Sequence, residues 1–210
     1  MMNAAVWTRT RLPVARSPCF LPRIVPVPVP MPVPDSGTSG FGANAPYRSL
    51  HPPMVREPMI EVGQTLPGFS LQNQDGEARA NADYAGKWLV LYVYPKDDTP
   101  GCTIQGKSFT ATKADYDAAG AVVVGLSEDG VASHKAFCDK FSFSIELLAD
   151  PDKTLLAALG VGQSEWKGTM YWDRSTFLVD PSGVVRKVYT NVAPAGHEQV
   201  VLEDLAKLKG

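Results

Sequence analysis

The chain has 210 residues, enough for one domain of ordinary size plus an appendage, and its formal net charge of −2 excludes the basic face that a nucleic acid or other polyanion would require. No run approaches the roughly eighteen consecutive apolar residues of a membrane-crossing helix. Cys19, Cys102 and Cys138 are too few and too scattered for a disulfide scaffold, and His51, His134 and His197 do not stand at zinc-ligand spacing from them. Functional thiols in a reducing, cytoplasmic setting fit this usage, with no metal site expected.

Residues 1–57 differ from the rest. They hold Arg9, Arg11, Arg16, Arg23, Arg48 and Arg56 but only Asp35 and Glu57 as acids. The stretch PRIVPVPVPMPVPDSGTSG forbids a helix and removes sheet donors, so it is expected to be disordered, with polyproline II character. Three readings stay open: a transit peptide, which the prolines disfavour; a secretory signal, which lacks an apolar core; and an inert extension, with Met54 or Met59 as the effective start.

Residues 58–210 read as alternating strands and helices. GFSLQNQDGEARANADYAGKWLVLYVYP gives a short strand, a turn at Asp75-Gly76, a second short element and a buried strand over 88–93. Residues 102–118 read as one helix, 121–127 as a second apolar strand, 133–141 as a helix and 145–151 as a strand closed by a turn. A short helix over 153–160 has Gly160 as its C-terminal cap. Residues 174–189 form a hairpin turning at Asp180, Pro181, Ser182 and Gly183. The closing helix should turn Val200, Val201, Leu205 and Leu208 inward. Strands that are apolar throughout need helices on both faces, which makes the domain an α/β sandwich with a mixed central sheet. Trp166, Tyr171 and Trp172 either wall a site or fill the core.

The chemistry concentrates in YPKDDTPGCTIQG, residues 94–106. A strand ends near Tyr94 and a helix begins near Cys102, which puts this thiol in a first helical turn. Amides there lack intrahelical partners and favour an anion, so the position suits a thiolate. The helix end alone stabilises an anion only modestly, so a nearby cation or further donors should assist. Thr99 lies three residues before Cys102; its hydroxyl either turns toward the sulfur or caps the helix ahead of Pro100. Pro95 and Pro100 stiffen the loop.

PKDDTPGCT resembles the active-site loop of the peroxiredoxins. Together with RSTFLVD downstream, it resembles the Q-type branch, the bacterioferritin comigratory proteins. The resemblance spans residues 59–209 and implies a thioredoxin-like three-layer sandwich and a cofactor-free peroxidase. It implies Cys102 as the thiolate attacking a hydroperoxide, Thr99 orienting that peroxide, Pro95 shielding the cysteine and Arg174 activating both. Arg174 is also the cation that the helix end lacks, at the opening of a predicted strand.

Many Q-type members carry a second, resolving cysteine five residues after the first, where this chain has Lys107. The resemblance leaves Cys138 as the candidate resolver, on a helix after the next strand. Cys138 is expected at the margin of an apolar face, near His134 and Lys135, and local unwinding is expected before it can meet Cys102. The competing readings make Cys138 a small hydrophobe, give the resolving thiol to Cys19, or leave resolution to an external thiol. Thioredoxin is the implied reductant, a monomer the expected state. The same fold could instead serve a redox sensor or chaperone-like binder. A thioredoxin-type oxidoreductase would need a C-x-x-C pair that the sequence lacks, and the Gly-x-Gly at 160–162 is not a dinucleotide motif.

Overall fold

The computed structural model describes residues 58–210. The disorder expected for residues 1–57, and Cys19 with it, falls outside the described residues.

The sheet is built on β3 (Trp88–Val93), whose β-branched and large apolar residues suit a strand covered on both faces. It pairs in parallel with β4 (Ala121–Ser127), in register from Trp88 opposite Ala121 to Val93 opposite Leu126. β5 (Glu146–Ala149) adds a third parallel strand. β8 (Ser175–Val179) and β9 (Val185–Tyr189) extend the other side antiparallel, and β1 (Ser70–Asn73) with β2 (Ala78–Ala80) closes the far edge. The result is a seven-stranded mixed sheet, ordered β2-β1-β5-β4-β3-β8-β9.

Strand alternation divides the core in two. Leu89, Leu91 and Val93 face one layer, shared with Tyr84, Leu155, Leu156 and Trp172. Val90 and Tyr92 face the other. There they meet α1 (Pro100–Ala111), α2 (Lys113–Ala118), α3 (Val131–Phe141) and α5 (His197–Lys209) through Phe109, Tyr116, Phe137, Val201 and Leu205. The sandwich has the three layers and mixed sheet that the sequence implied.

Local details differ from the sequence reading. The helix expected over 102–118 breaks at Thr112, whose hydroxyl donates to the Ser108 carbonyl at 3.0 Å and competes with the ladder. In α5, Val200 and Leu208 are exposed; the inward face is His197, Val201 and Leu205, one turn apart. Between α4 (Thr154–Ala158) and β8 lies an unexpected two-stranded hairpin, β6 (Gln163–Trp166) and β7 (Thr169–Trp172). Its two-residue turn, Lys167-Gly168, has positive φ at both positions. Gly160 does follow the α4 cap at φ +66, and it packs so tightly on the backbone of Pro58 and Met59 that a Cβ would overlap both. Trp172 belongs to the core, and Trp166 is exposed.

Candidate active site

The loop from Tyr94 to Thr99 leaves the carboxyl end of β3 and delivers the chain into α1. Asp98 takes φ +55, a left-handed conformation that turns the backbone sharply. Thr99 follows in extended conformation as the N-terminal cap, and its carbonyl accepts from the Thr103 amide at 2.9 Å. Pro100 occupies the first helical position, where a missing N–H costs nothing. Cys102 therefore sits in the first turn, as the sequence required, and the residue is 2 % exposed.

Arg174 immediately precedes β8, beside β3 in the sheet, and this pairing carries it across to the loop. Its Nη2 donates to Cys102 Sγ at 3.4 Å and its Nη1 to Gln105 Oε1 at 2.5 Å. One planar fork thus holds the sulfur and a neighbouring amide together, which a lysine could not do. Gly101 makes room: a Cβ there would lie 3.2 Å from Arg174 Nη2 and 3.7 Å from Pro194. His197 donates to or accepts from Thr176 Oγ1 at 2.9 Å. Burial, and then the Arg174 charge, push its pKa down to about 4, so it adds no competing charge near neutrality.

Thr99 and Pro95 are both half-buried beside Cys102 in the chain. The Thr99 hydroxyl donates to the Lys96 carbonyl at 3.0 Å and makes no side-chain cap, so its oxygen keeps acceptor capacity. The structure thus brings Arg174 onto Cys102 and keeps Thr99 and Pro95 in the same loop.

Cys138 is where the sequence reading needs correction. It is not marginal: it is 6 % exposed, in the same core cluster as Cys102, Tyr92 and Phe137. Burial first, and then the carboxylates of Asp97, Asp139 and Asp75, push its thiol up to about 12; Lys135 offsets little. Its neighbour His134 is likewise buried and faces Asp97 at 2.8 Å. Cys102 and Cys138 are both free thiols, and both act electrostatically on the Tyr92 phenol. Lys107 instead lies over the Phe141 ring at the end of α3, 5.0 Å from its centroid, where Lys140 also sits.

Gln105, Gly101 and Pro194 escaped the sequence reading. Gln105 alone left a trace: it falls three residues after Cys102 on the inward face of α1, with Gly106 and Phe109. A polar residue on such a face needs a buried partner.

The sequence matches the AhpC/TSA family over residues 62–188. A putative peroxiredoxin bcp of Helicobacter pylori is 42% identical over 149 residues, which cover 70% of this chain and 98% of the relative. Solved structures of Xanthomonas campestris peroxiredoxin Q include one variant with serine for the cysteine at position 48 and one with serine at position 84. The first is 37% identical, with TM-score 0.64, and covers 68% of this chain and 92% of its own. The second is 38% identical, with TM-score 0.62, and covers 66% and 90%. A bacterioferritin comigratory protein from the same organism, whose structures concern trapped intermediate and ligand complexes in alkyl peroxide reduction, is 35% identical with TM-score 0.65 and covers 73% of this chain and all of that one.

Proposed function

The chain belongs to the AhpC/TSA family and is a Q-type peroxiredoxin, and on that premise we propose that Cys102 is its peroxidatic thiol, with Arg174, Thr99 and Pro95 as its immediate setting. The protein is a thiol peroxidase: it reduces alkyl hydroperoxides with electrons from a thiol reductant.

In the reaction, the Cys102 thiolate attacks one peroxide oxygen. An S–O bond forms as the O–O bond breaks, and the alkoxide leaves to be protonated as the alcohol. Cys102 becomes a sulfenic acid, the first rung of the thiol oxidation ladder. Arg174 has N–H groups to spare beyond those used on Cys102 and Gln105, and they stabilise the charge that develops on the peroxide oxygens. Thr99, its own proton committed to Lys96, accepts from the peroxide hydroxyl and aligns it. The observation that carries this reading is the Arg174 donor 3.4 Å from a sulfur at a helix start.

Cys138 then resolves the sulfenic acid. Its sulfur displaces hydroxide from Cys102, the S–S bond forms and water leaves. The separation of 36 residues between positions 48 and 84, the cysteines replaced in the two Xanthomonas variants, is also that between Cys102 and Cys138. Thioredoxin or a similar dithiol reduces the product. A pairing within one chain needs no second copy, which supports a monomer, and two free thiols support a cytoplasmic setting.

The test is consumption of tert-butyl hydroperoxide by the purified full chain with thioredoxin and its reductase, followed by peptide mapping. Wild type should turn over and show a Cys102–Cys138 bridge, and Cys102→Ser should be inactive yet folded. Turnover by Cys102→Ser would overturn the assignment. Turnover by wild type with no bridge would remove Cys138 and leave an enzyme resolved by external thiols.

A further inference from the structure

Asp97 lies in the loop that carries Cys102, and its side chain is buried against α3, the helix that carries Cys138. Oδ2 accepts from Ser133 Oγ at 2.7 Å and from His134 Nδ1 at 2.8 Å, and Oδ1 accepts from Tyr94 Oη at 2.8 Å. His134 is fully buried, and its Nε2 faces the Leu148 carbonyl at 3.0 Å. The ring thus spans from the Asp97 carboxylate to the β5 backbone, and its Nδ1 also lies 3.3 Å from Tyr94 Oη. The Asp97 carboxyl is held below its usual range, because its hydrogen bonds to His134, Ser133 and Tyr94 outweigh its burial. Around this centre, Asp129 accepts from the Asp97 amide at 2.8 Å and from Lys96 Nζ, and the exposed Lys140 pairs with Asp98.

The placement of the latch relative to the thiols is regular. Asp97 is five residues before Cys102, and His134 is one helical turn before Cys138 on the same buried face of α3. To bridge the sulfurs, Cys138 must leave a core in which it is 6 % exposed. α3 has only 11 residues. Unwinding it from Cys138 onward would leave fewer than two turns, too short to persist, so Ser133 and His134 must go as well. The first turn of α1 must also open to present Cys102.

We propose that the buried Asp97–Ser133–His134 cluster is a latch that ties the Cys102 loop to α3 and sets the rate of the second half-reaction, because it must break before Cys138 can resolve Cys102. This inference rests on the reading of Cys138 as the resolving thiol. The latch joins the two segments that have to move, so its rupture releases both together. While it is closed, the sulfenic acid is exposed to a second peroxide; once open, the disulfide forms.

The experiment mixes the reduced full chain with one equivalent of tert-butyl hydroperoxide under rapid quench. Dimedone trapping follows the sulfenic acid and non-reducing mass spectrometry the disulfide. The variants are Asp97→Asn, which keeps the shape but removes the charge, and the milder Ser133→Ala, which keeps the Asp97–His134 contact should Asp97→Asn not fold. Disulfide formation should speed up by about tenfold, as expected for losing one buried hydrogen bond to a charged group. Hydrogen exchange across 131–141 in the reduced protein should accelerate by the same factor. Sulfenic acid formation should stay within about threefold of wild type. The share of Cys102 driven to sulfinic acid by excess peroxide should fall. A merely structural pair would loosen α3 without changing that partition. Faster exchange with an unchanged disulfide rate would overturn the latch alone. Absence of the bridge in wild type would overturn the resolver reading, and the latch with it.

Discussion

Alkylation of Cys138 in the reduced protein gives a sharp quantitative test of its burial. Its thiol is pushed from an ordinary 9.0 up to about 12. At pH 8 that leaves about one molecule in ten thousand as thiolate, against about one in ten for an unburied thiol, a difference of about a thousandfold. The thiolate is the reacting species, so iodoacetamide should label folded Cys138 up to about a thousandfold more slowly than the same residue in 6 M guanidinium. The factor is smaller only if α3 opens at a cost below about 4 kcal/mol, in which case labelling through the open state dominates and the protection factor reads out that cost. Timed alkylation at pH 8, with peptide mass spectrometry, separates Cys138 from Cys102. Protection of less than about tenfold would refute the argument, since it would mean a thiol in equilibrium with solvent in the resting fold.

The pH dependence carries a second signature. The folded state holds the Cys138 proton more tightly than the open state does. The stability from this group is therefore complete below pH 9 and declines as the pH rises toward 12. Between pH 9 and 10 the opening of α3 should become up to about tenfold more frequent, at about 1.4 kcal/mol per unit. Labelling of Cys138 should keep rising through this interval. An exposed thiol would instead level off near 9. The window stops at 10 because buried phenols such as Tyr116, raised by burial from an ordinary 10.0, add alkaline instability of their own above it.

Arg174→Ala removes a charge-assisted donor from Cys102 and the partner of Gln105; alkylation of Cys102 at pH 6 and peroxide turnover should each fall by about tenfold to a hundredfold, with Arg174→Lys recovering only part, because one ammonium cannot serve both groups. An unchanged alkylation rate would take Arg174 out of the site. Gly160→Ala meets both a left-handed backbone and the Pro58–Met59 chain, so it should cost about 3 kcal/mol and lower the melting temperature by roughly 10 °C. A change under about 2 °C in calorimetry would mean that the Pro58–Met59 segment yields freely.

The legible parts of this protein are those decided locally. WLVLYV and AVVVGLS are apolar at every position, and both became central strands at the expected boundaries. The helix start that puts Cys102 in a first turn follows from Thr99-Pro100 alone. Most of what escaped depends on partners far apart in sequence. The β6–β7 hairpin is the exception: its local signal is the Lys167-Gly168 turn between two short aromatic-bearing segments. Gln105 is intelligible only with Arg174, 69 residues on, and Asp97 only with His134, 37 residues on. Cys138 was misjudged for a related reason. Helical periodicity from Phe137 and Phe141 placed it at an edge, but Phe143, beyond the helix end, packs back on Phe137 at 4.8 Å between centroids and widens the covered face.

The position of the second thiol has an energetic consequence. A cysteine at 107 would share α1 with Cys102, and unwinding one helix would join them. Here Lys107 lies instead on Phe141, tying α1 to the end of α3, so the residue that replaces a nearby thiol also reinforces the distant helix. To act as the proposed resolving thiol, Cys138 has to leave a core and break a buried polar cluster that also holds the Cys102 loop. The burial that makes Cys138 unreactive keeps it from competing for peroxide while Cys102 is reduced. Oxidation of Cys102 has to change that balance. A sulfenic acid offers Arg174 Nη2 an oxygen in addition to the sulfur it holds at 3.4 Å, and the added atom must fit on a residue that is 2 % exposed. A packed interior has little room for an extra atom without rearrangement. On the proposed roles of the two thiols, the product of the first half-reaction would strain the loop that Asp97 anchors, and the opening that exposes Cys138 would become cheaper after Cys102 has reacted than before.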